Sequence, residues 1–409
     1  MKRIYFDHAN ATPLLPEAYE AMVPFLREQF GNPSSLHQFG KPTREALATA
    51  REQISHLINA QPESIIFTAS ASESNNLALK GIALAHRNKG NHLIISAIEH
   101  LSIIEQTKTL KRLGFEFTVL NVDHYGKVDP EEIARAIKPS TILVSIMHAN
   151  YEIGTIQPLK ELVRICHEKK VLIHSDGTAA LGRIPVDIQE LDVDAYTFSA
   201  QSIYGPKGAG VLYLRQGIRI YPLIDGGFQE RGRRAGTENI AAIAGMGKAA
   251  EICAVQLPNW IEKMKRYSHR LYTELPRKIE RLVFTGHPTD RLPGVVSLCV
   301  EFVEGEALLL SLDDLGIAVA SGSACTARTL KASHVLTAIG IEPVIAQSSL
   351  LLTLGKDNTD TEIDYFLNQL PPIVQRLRSF SPLYAKYLKG ENPYNFPAGQ
   401  HHYNEENNN

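Results

Sequence analysis

A chain of 409 residues, 44% hydrophobic and 21% charged, has room for roughly two to three domains with sizeable cores. Its formal net charge of -2 gives no basic field for nucleic acid and no charge run for an anionic membrane surface. Four cysteines, Cys166, Cys253, Cys299 and Cys325, show no CxxC pair and no His partner at zinc spacing, the pattern of a cytoplasmic protein with reduced thiols.

In chain order, the opening MKRIYFDHANATP reaches Asp7 without a long apolar run, so it does not read as a signal peptide. No later stretch reads as a bilayer span. After Pro13 and Pro16, Met22, Phe25 and Leu26 share one helical face. GNPSSLHQFGK is a turn-rich loop, and Arg44 to Asn59 is an amphipathic helix with Leu47, Ile54, Leu57 and Ile58 as its buried stripe.

From Ser64 to Leu212, short apolar strands alternate with helices, which predicts a mainly parallel sheet covered on both faces. The candidate strands are Ile65 to Thr68, His92 to Ser96, Phe115 to Leu120, Thr141 to Met147, Val171 to Ser175, Ala195 to Phe198 and Gly210 to Leu214. Gly226 to Glu251 is a Gly- and Arg-rich loop followed by a small-residue helix. Trp260 to Leu275 reads as a polar helix leading away, so the expected boundary falls near Pro258. That gives an α/β domain over 1–258 and a smaller α+β domain over 259–390 with a strand at Val295 to Phe302, the N-terminal segment being free to pack against the smaller one. The polar, Pro- and Asn-rich stretch 391–409 is expected to be disordered.

Several positions carry possible chemistry. TASASESNNLALKG, Thr68 to Gly81, sets Ser70, Ala71 and Ser72 at a strand end before a helix. Backbone N–H groups there can cradle a phosphate, although the same residues make an ordinary N-cap. Asp176 closes the apolar strand VLIHSD, where a carboxylate points into the ligand crevice of an α/β sheet; His174, two residues earlier, reads as structural. Cys325 lies in the small-residue stretch ASGSACTARTLKASHVL, exposed enough for a reacting thiol, whereas Cys166, Cys253 and Cys299 sit in apolar patterns and read as core.

The stretch YTFSAQSIYGPKGAGVLY, Tyr196 to Tyr213, resembles the SxHKxxGPKGxGxLY signature of cysteine desulfurases of the NifS/IscS type in the class-V aminotransferase family. GNPSSLHQFG, with His37 and Gly40, resembles GNPSSxHxxG, and the Thr68 stretch resembles TSGATESNN. The resemblance implies the fold-type-I architecture of pyridoxal-phosphate-dependent transferases, with a large mainly parallel domain and a smaller α+β domain. It also implies a phosphate site at Ser70, Ala71 and Ser72, His100 stacked on the pyridine ring and Asp176 on the ring nitrogen. Thr237, in RRAGTEN, would reach the phosphate from the neighbouring subunit of a homodimer, and Cys325 would accept sulfur as a persulfide.

Other positions depart from that pattern together. Gln201 and Ser202 stand where the family has His-Lys, and a serine hydroxyl cannot form the Schiff base. Lys207 matches the pattern's second lysine, which has its own place. Tyr151 replaces an asparagine, Ala179 a glutamine, and Leu351 the arginine that grips the substrate carboxylate. The expectation is a protein of sulfur mobilisation and iron–sulfur cluster assembly with impaired desulfuration. Cys325 would be its persulfide carrier or cluster ligand, pyridoxal or pyridoxamine phosphate would bind without a covalent link, and a scaffold or sulfur-acceptor protein would be its partner. The alternatives are an active desulfurase using another base and a catalytically silent partner-binding protein.

Overall fold

In the computed structural model, which describes residues 3–322 and 332–394, the strands follow in chain order. They are β1 (Ile4–Tyr5), β2 (Ile65–Thr68), β3 (His92–Ser96), β4 (Glu116–Leu120), β5 (Thr141–Ser145), β6 (Leu172–Asp176), β7 (Ala195–Ser199) and β8 (Gly210–Leu214). Then come β9 (Leu282–Phe284), β10 (Val295–Val300), β11 (Ile317–Ala318) and β12 (Ser349–Thr353). Seven form one sheet in the order β2-β8-β7-β6-β5-β3-β4. All its pairs are parallel except those of β8, which runs antiparallel to β2 and β7.

The sheet is covered on both faces, and alternation along the strands sorts residues between them. Ile65, Phe67, Ile94, Val211 and Tyr213 join the core beneath the helices Gly40–Leu57, Leu159–Glu168 and Ile240–Lys278. Their neighbours Ile66, Leu93, Ile95, Leu212 and Leu214 join the core under Ala71–Ala85. Burial on both sides explains why β3, β5, β7 and β8 are buried at every residue and lack a regular apolar–polar alternation.

The smaller unit is the antiparallel sheet β12-β10-β9, backed by the helices Gly305–Asp313 and Asp360–Ser379. Ile4 and Phe6 belong to its core, and β1 pairs with β11 there. Pro258, at the expected boundary, lies inside the continuous helix Ile240–Lys278. A proline within a helix removes one hydrogen bond but need not end the helix when tertiary packing holds both sides. The core changes along that helix: Leu257, Trp260 and Met264 belong to the large cluster, Tyr267, Leu271 and Leu275 to the small one. By length and composition this helix could cross a membrane, contrary to the expectation that no stretch would. Most of its apolar window is nevertheless buried in the fold, where it packs against Pro16–Arg27 and Gly40–Leu57.

Candidate functional site

The C-terminal ends of β6 and β7 and the turn after β2 open into a cavity of about 390 Å³. Ser70 caps the helix Ala71–Ala85 with an extended backbone, its Oγ accepting from Glu73 N at 3.1 Å. The first-turn N–H groups of Ala71 and Ser72 have no acceptor within the helix, and both residues line the cavity. Gly210 makes the turn possible, since a Cβ there would lie 2.5 Å from the Ser70 carbonyl carbon.

Asp176, at the end of β6, is buried. Its Oδ1 accepts from Thr178 N at 2.9 Å and its Oδ2 from Asn75 Nδ2 at 2.7 Å. Asn75 Nδ2 also donates to Ser102 Oγ at 2.8 Å, and Ser102 Oγ lies 2.7 Å from His100 Nδ1. Ser102 N donates to the same Nδ1 at 3.1 Å, which leaves the neutral ring's proton on Nε2. One connected network thus fixes the carboxylate and the imidazole on the same cavity. Asn75 and Ser102 escaped sequence reading. Asn75 is one turn inside a helix and looks like any polar helix residue, its only signal being a polar side chain among Leu77, Ala78 and Leu79.

Facing that network stand a hydroxyl, a lysine, an aromatic ring and aliphatic side chains. Ser202 Oγ donates to the Thr178 carbonyl at 2.8 Å, so the hydroxyl is tied to backbone. Lys207 Nζ reaches Thr12 O at 3.3 Å from an exposed position on the rim. Tyr151 sets its ring edge-on to His100, with centroids 5.7 Å apart, and Ala179 lines the wall. Leu351, in β12, is buried in an apolar cluster with Ala149, Ala180, Leu292, Val295 and Ala320. Two buried carboxylates stand behind these walls. Glu99 Oε1 accepts from Ser96 Oγ at 2.6 Å and Met147 N at 3.0 Å, and Glu152 Oε2 accepts from Ser333 Oγ at 2.8 Å. Burial pushes each up to about 8.

The structure therefore brings Ser70, Ala71, Ser72, His100 and Asp176 together on one cavity. Thr237 is exposed and does not line it within one chain. Cys325 lies outside the described residues. Cys166, Cys253 and Cys299 are buried core thiols, and burial pushes Cys166 and Cys253 up to about 12. His174 is fixed between Ser145 Oγ at 2.9 Å and Thr197 Oγ1 at 3.0 Å, and burial pushes its pKa down to about 4, in keeping with a structural role. Among the described residues, no group of three His, Cys, Asp or Glu side chains could hold a metal.

A mainly parallel sheet with a helix N-terminus and a strand-end aspartate on one cavity defines a fold-type-I protein of the pyridoxal-phosphate class. Residues 4–366 match the aminotransferase class-V family. The chain is 46% identical over 383 residues to cysteine desulfurase IscS of Dictyoglomus turgidum, covering 93% of this chain and 97% of the relative. It is 48% identical over 382 residues to IscS 1 of Archaeoglobus fulgidus, covering 93% and 100%. A solved NifS-like protein superposes with TM-score 0.86 at 35% identity, over 92% of this chain and 100% of that one. A NifS-like protein of Rickettsia africae gives 0.82 at 31% identity, over 91% and 99%. This chain belongs to the class-V aminotransferase family, among the cysteine desulfurases of the NifS/IscS type.

Pyridoxal phosphate, the cofactor of that family, fits the residues present. The cradle has two unpaired N–H donors and a glycine backing it, and the buried Asp176 carboxylate is held by neutral donors.

Proposed function

We propose that this protein handles sulfur for iron–sulfur cluster assembly with its desulfuration chemistry impaired. Cys325 serves as persulfide carrier or cluster ligand, and the cavity holds pyridoxal or pyridoxamine phosphate without a covalent link. The observation that carries this reading is the combination of an intact Asp176–Asn75–Ser102–His100 network with Ser202 bonded to backbone and Leu351 sunk in an apolar cluster.

Ser70, Ala71 and Ser72 would hold the phosphate, Asp176 the protonated ring nitrogen and His100 the ring face. When bound, the cofactor supplies an electron-accepting ring. Ser202 has neither the amine nor the basicity to move a substrate proton. At Cys325, a thiolate attacking the outer sulfur of a donor persulfide releases the donor as a thiolate, so sulfur moves without any oxidant. The proposed assembly is a homodimer in which Thr237 of each subunit completes the other's phosphate site, with an iron–sulfur scaffold or sulfur acceptor as partner.

The test is purification without air, followed by an absorption spectrum and persulfide labelling with glutathione persulfide, on wild type and Cys325→Ser. Labelling confined to wild type supports the reading, and equal labelling in both removes it. A second reading, an active desulfurase using another amine, draws on Lys207 lining the same cavity. A borohydride-stable pyridoxyl adduct on Lys207 would establish it.

A further inference from the structure

The cavity has a second end whose charge is unbalanced. Arg183 lines it beside Leu181, Met264 and Leu292. Its Nη1 donates to Pro293 O at 3.0 Å and Leu354 O at 3.2 Å, and lies 3.6 Å from Met264 Sδ. Nε and Nη2 have no hydrogen-bond partner among the described residues. No carboxylate of the described residues pairs with this guanidinium, unlike Arg51, which meets Glu230 at 2.6 Å, or Arg234, which meets Glu73 at 2.9 Å.

A desolvated cation without a counter-charge is costly, and burial accordingly holds the Arg183 pKa down. The Tyr204 phenol offsets part of that cost, and no carboxylate does so. His8 bonds Thr353 O through Nδ1, and burial pushes its pKa down to about 4, so it stays neutral. The free Nε–Nη2 edge is the side of a guanidinium that takes a carboxylate through two parallel hydrogen bonds. Leu351 does not line the cavity, and the members of its cluster that do, Ala149, Leu292 and Val295, are apolar.

We infer that Arg183 is the anion anchor of this cavity, so that its ligand is a phosphopyridoxyl compound carrying a carboxylate, that is, an amino-acid adduct rather than a simple amine. This rests on the reading that the cavity takes phosphopyridoxyl compounds. The anchor stands on the stretch after β6, and position 351 takes no part in it.

Two stable reduced probes, N-(5′-phosphopyridoxyl)-L-alanine and N-(5′-phosphopyridoxyl)ethylamine, differ only by the carboxylate. Calorimetric titration of the full chain should show the alanine probe binding about tenfold more tightly, the usual scale of a charge-assisted hydrogen-bonded pair. Arg183→Gln should bring the two within about twofold while leaving the ethylamine probe's Kd unchanged, which also reports an intact fold. Equal affinities in wild type, or a preference that survives Arg183→Gln, would overturn the inference but leave the cofactor reading standing. Binding of neither probe would overturn both. Should Arg183→Gln lose both probes through misfolding, Arg183→Lys decides, because it keeps a cation for Pro293 and Leu354 without the planar fork. The preference must then fall by about threefold or more, or the inference fails.

Discussion

The two sides of the cavity follow opposite physical rules. On the side of the helix Ala71–Ala85, polar groups are linked in series from Asp176 through Asn75 and Ser102 to His100, all held by β6 and helix starts. On the side of Ser202, the hydroxyl is spent on a backbone carbonyl, and Leu351 lies behind the lining residues Ala149, Leu292 and Val295 in their apolar cluster. A preorganised polar network is costly to maintain unless something is bound there, and an apolar wall cannot orient a reacting group. Under the proposed function, the difference would make binding and reaction separable in this cavity, with the groups proposed to hold a ring and a phosphate kept and an amine at position 202 absent.

The largest effect that could break this comparison is turnover. With no amine at position 202, sulfide release from L-cysteine should stay at background, several orders of magnitude below ordinary enzyme rates of roughly 1 to 1000 per second. Ser202→Lys alone should recover little, because Tyr151 and Ala179 still stand where the family pattern has an asparagine and a glutamine. Turnover at enzyme rates in wild type, followed as methylene blue formation, would show that the apolar side reacts after all. The next effect sharpens the polar side. Asp176→Ala should weaken pyridoxamine phosphate binding by about tenfold or more, since it removes the carboxylate proposed for the ring nitrogen and leaves Asn75 Nδ2 with Ser102 Oγ alone. Leu351→Ala should leave that affinity within about twofold, because Leu351 packs in an apolar cluster and does not itself line the cavity.

How far the sequence could be read follows the same division. The strands were legible because burial on both faces forces short β-branched runs, and the observed Glu116–Leu120 and Leu172–Asp176 start one residue beyond their expected positions at Phe115 and Val171. Asp176 and Ser70 were legible because each stands at an element end, where a polar residue interrupts an apolar pattern. Asn75, Ser102 and Arg183 were not, since each gains its meaning from a partner far along the chain: Asp176 for Asn75, Pro293 and Leu354 for Arg183. Pro258 is the converse case. Its local signal to break the helix is overridden by packing on either side, from Leu257 and Trp260 to Tyr267 and Leu271.

A smaller effect separates core thiols from the thiol expected to react. Cys299 is fully buried in β10 beside Ile98, Met147 and Leu336. Cys299→Ser should lower stability by roughly 1 to 3 kcal/mol, measured by urea denaturation, by placing a hydroxyl in that cluster. Persulfide labelling should be unchanged, because burial holds the Cys299 thiol protonated. A labelling loss in Cys299→Ser would move the sulfur chemistry from the Cys325 stretch into the core and undo the assignment.

The smallest effect concerns the carboxylate behind the altered wall. Glu152 adjoins Tyr151 and bonds Ser333, and burial pushes it up to about 8 from the ordinary 4.5. Below pH 4.5 the folded and unfolded chains both hold this proton. As pH rises from there towards about 8, the unfolded chain releases the proton while the folded chain keeps it, so stability falls through that window and levels off above it. Glu152→Gln keeps a carbonyl acceptor for Ser333 but has no proton to lose. Its stability relative to wild type should therefore climb between pH 5 and pH 8, by an amount on the order of 1 to 3 kcal/mol, read as a growing Tm difference. Pyridoxamine phosphate affinity should not follow, because Glu152 belongs to no part of the Asp176 network. A Tm difference that stays constant across the window would mean that Glu152 is ionised in the folded chain. A matching shift in cofactor affinity would mean that the two sides of the cavity are coupled rather than separable.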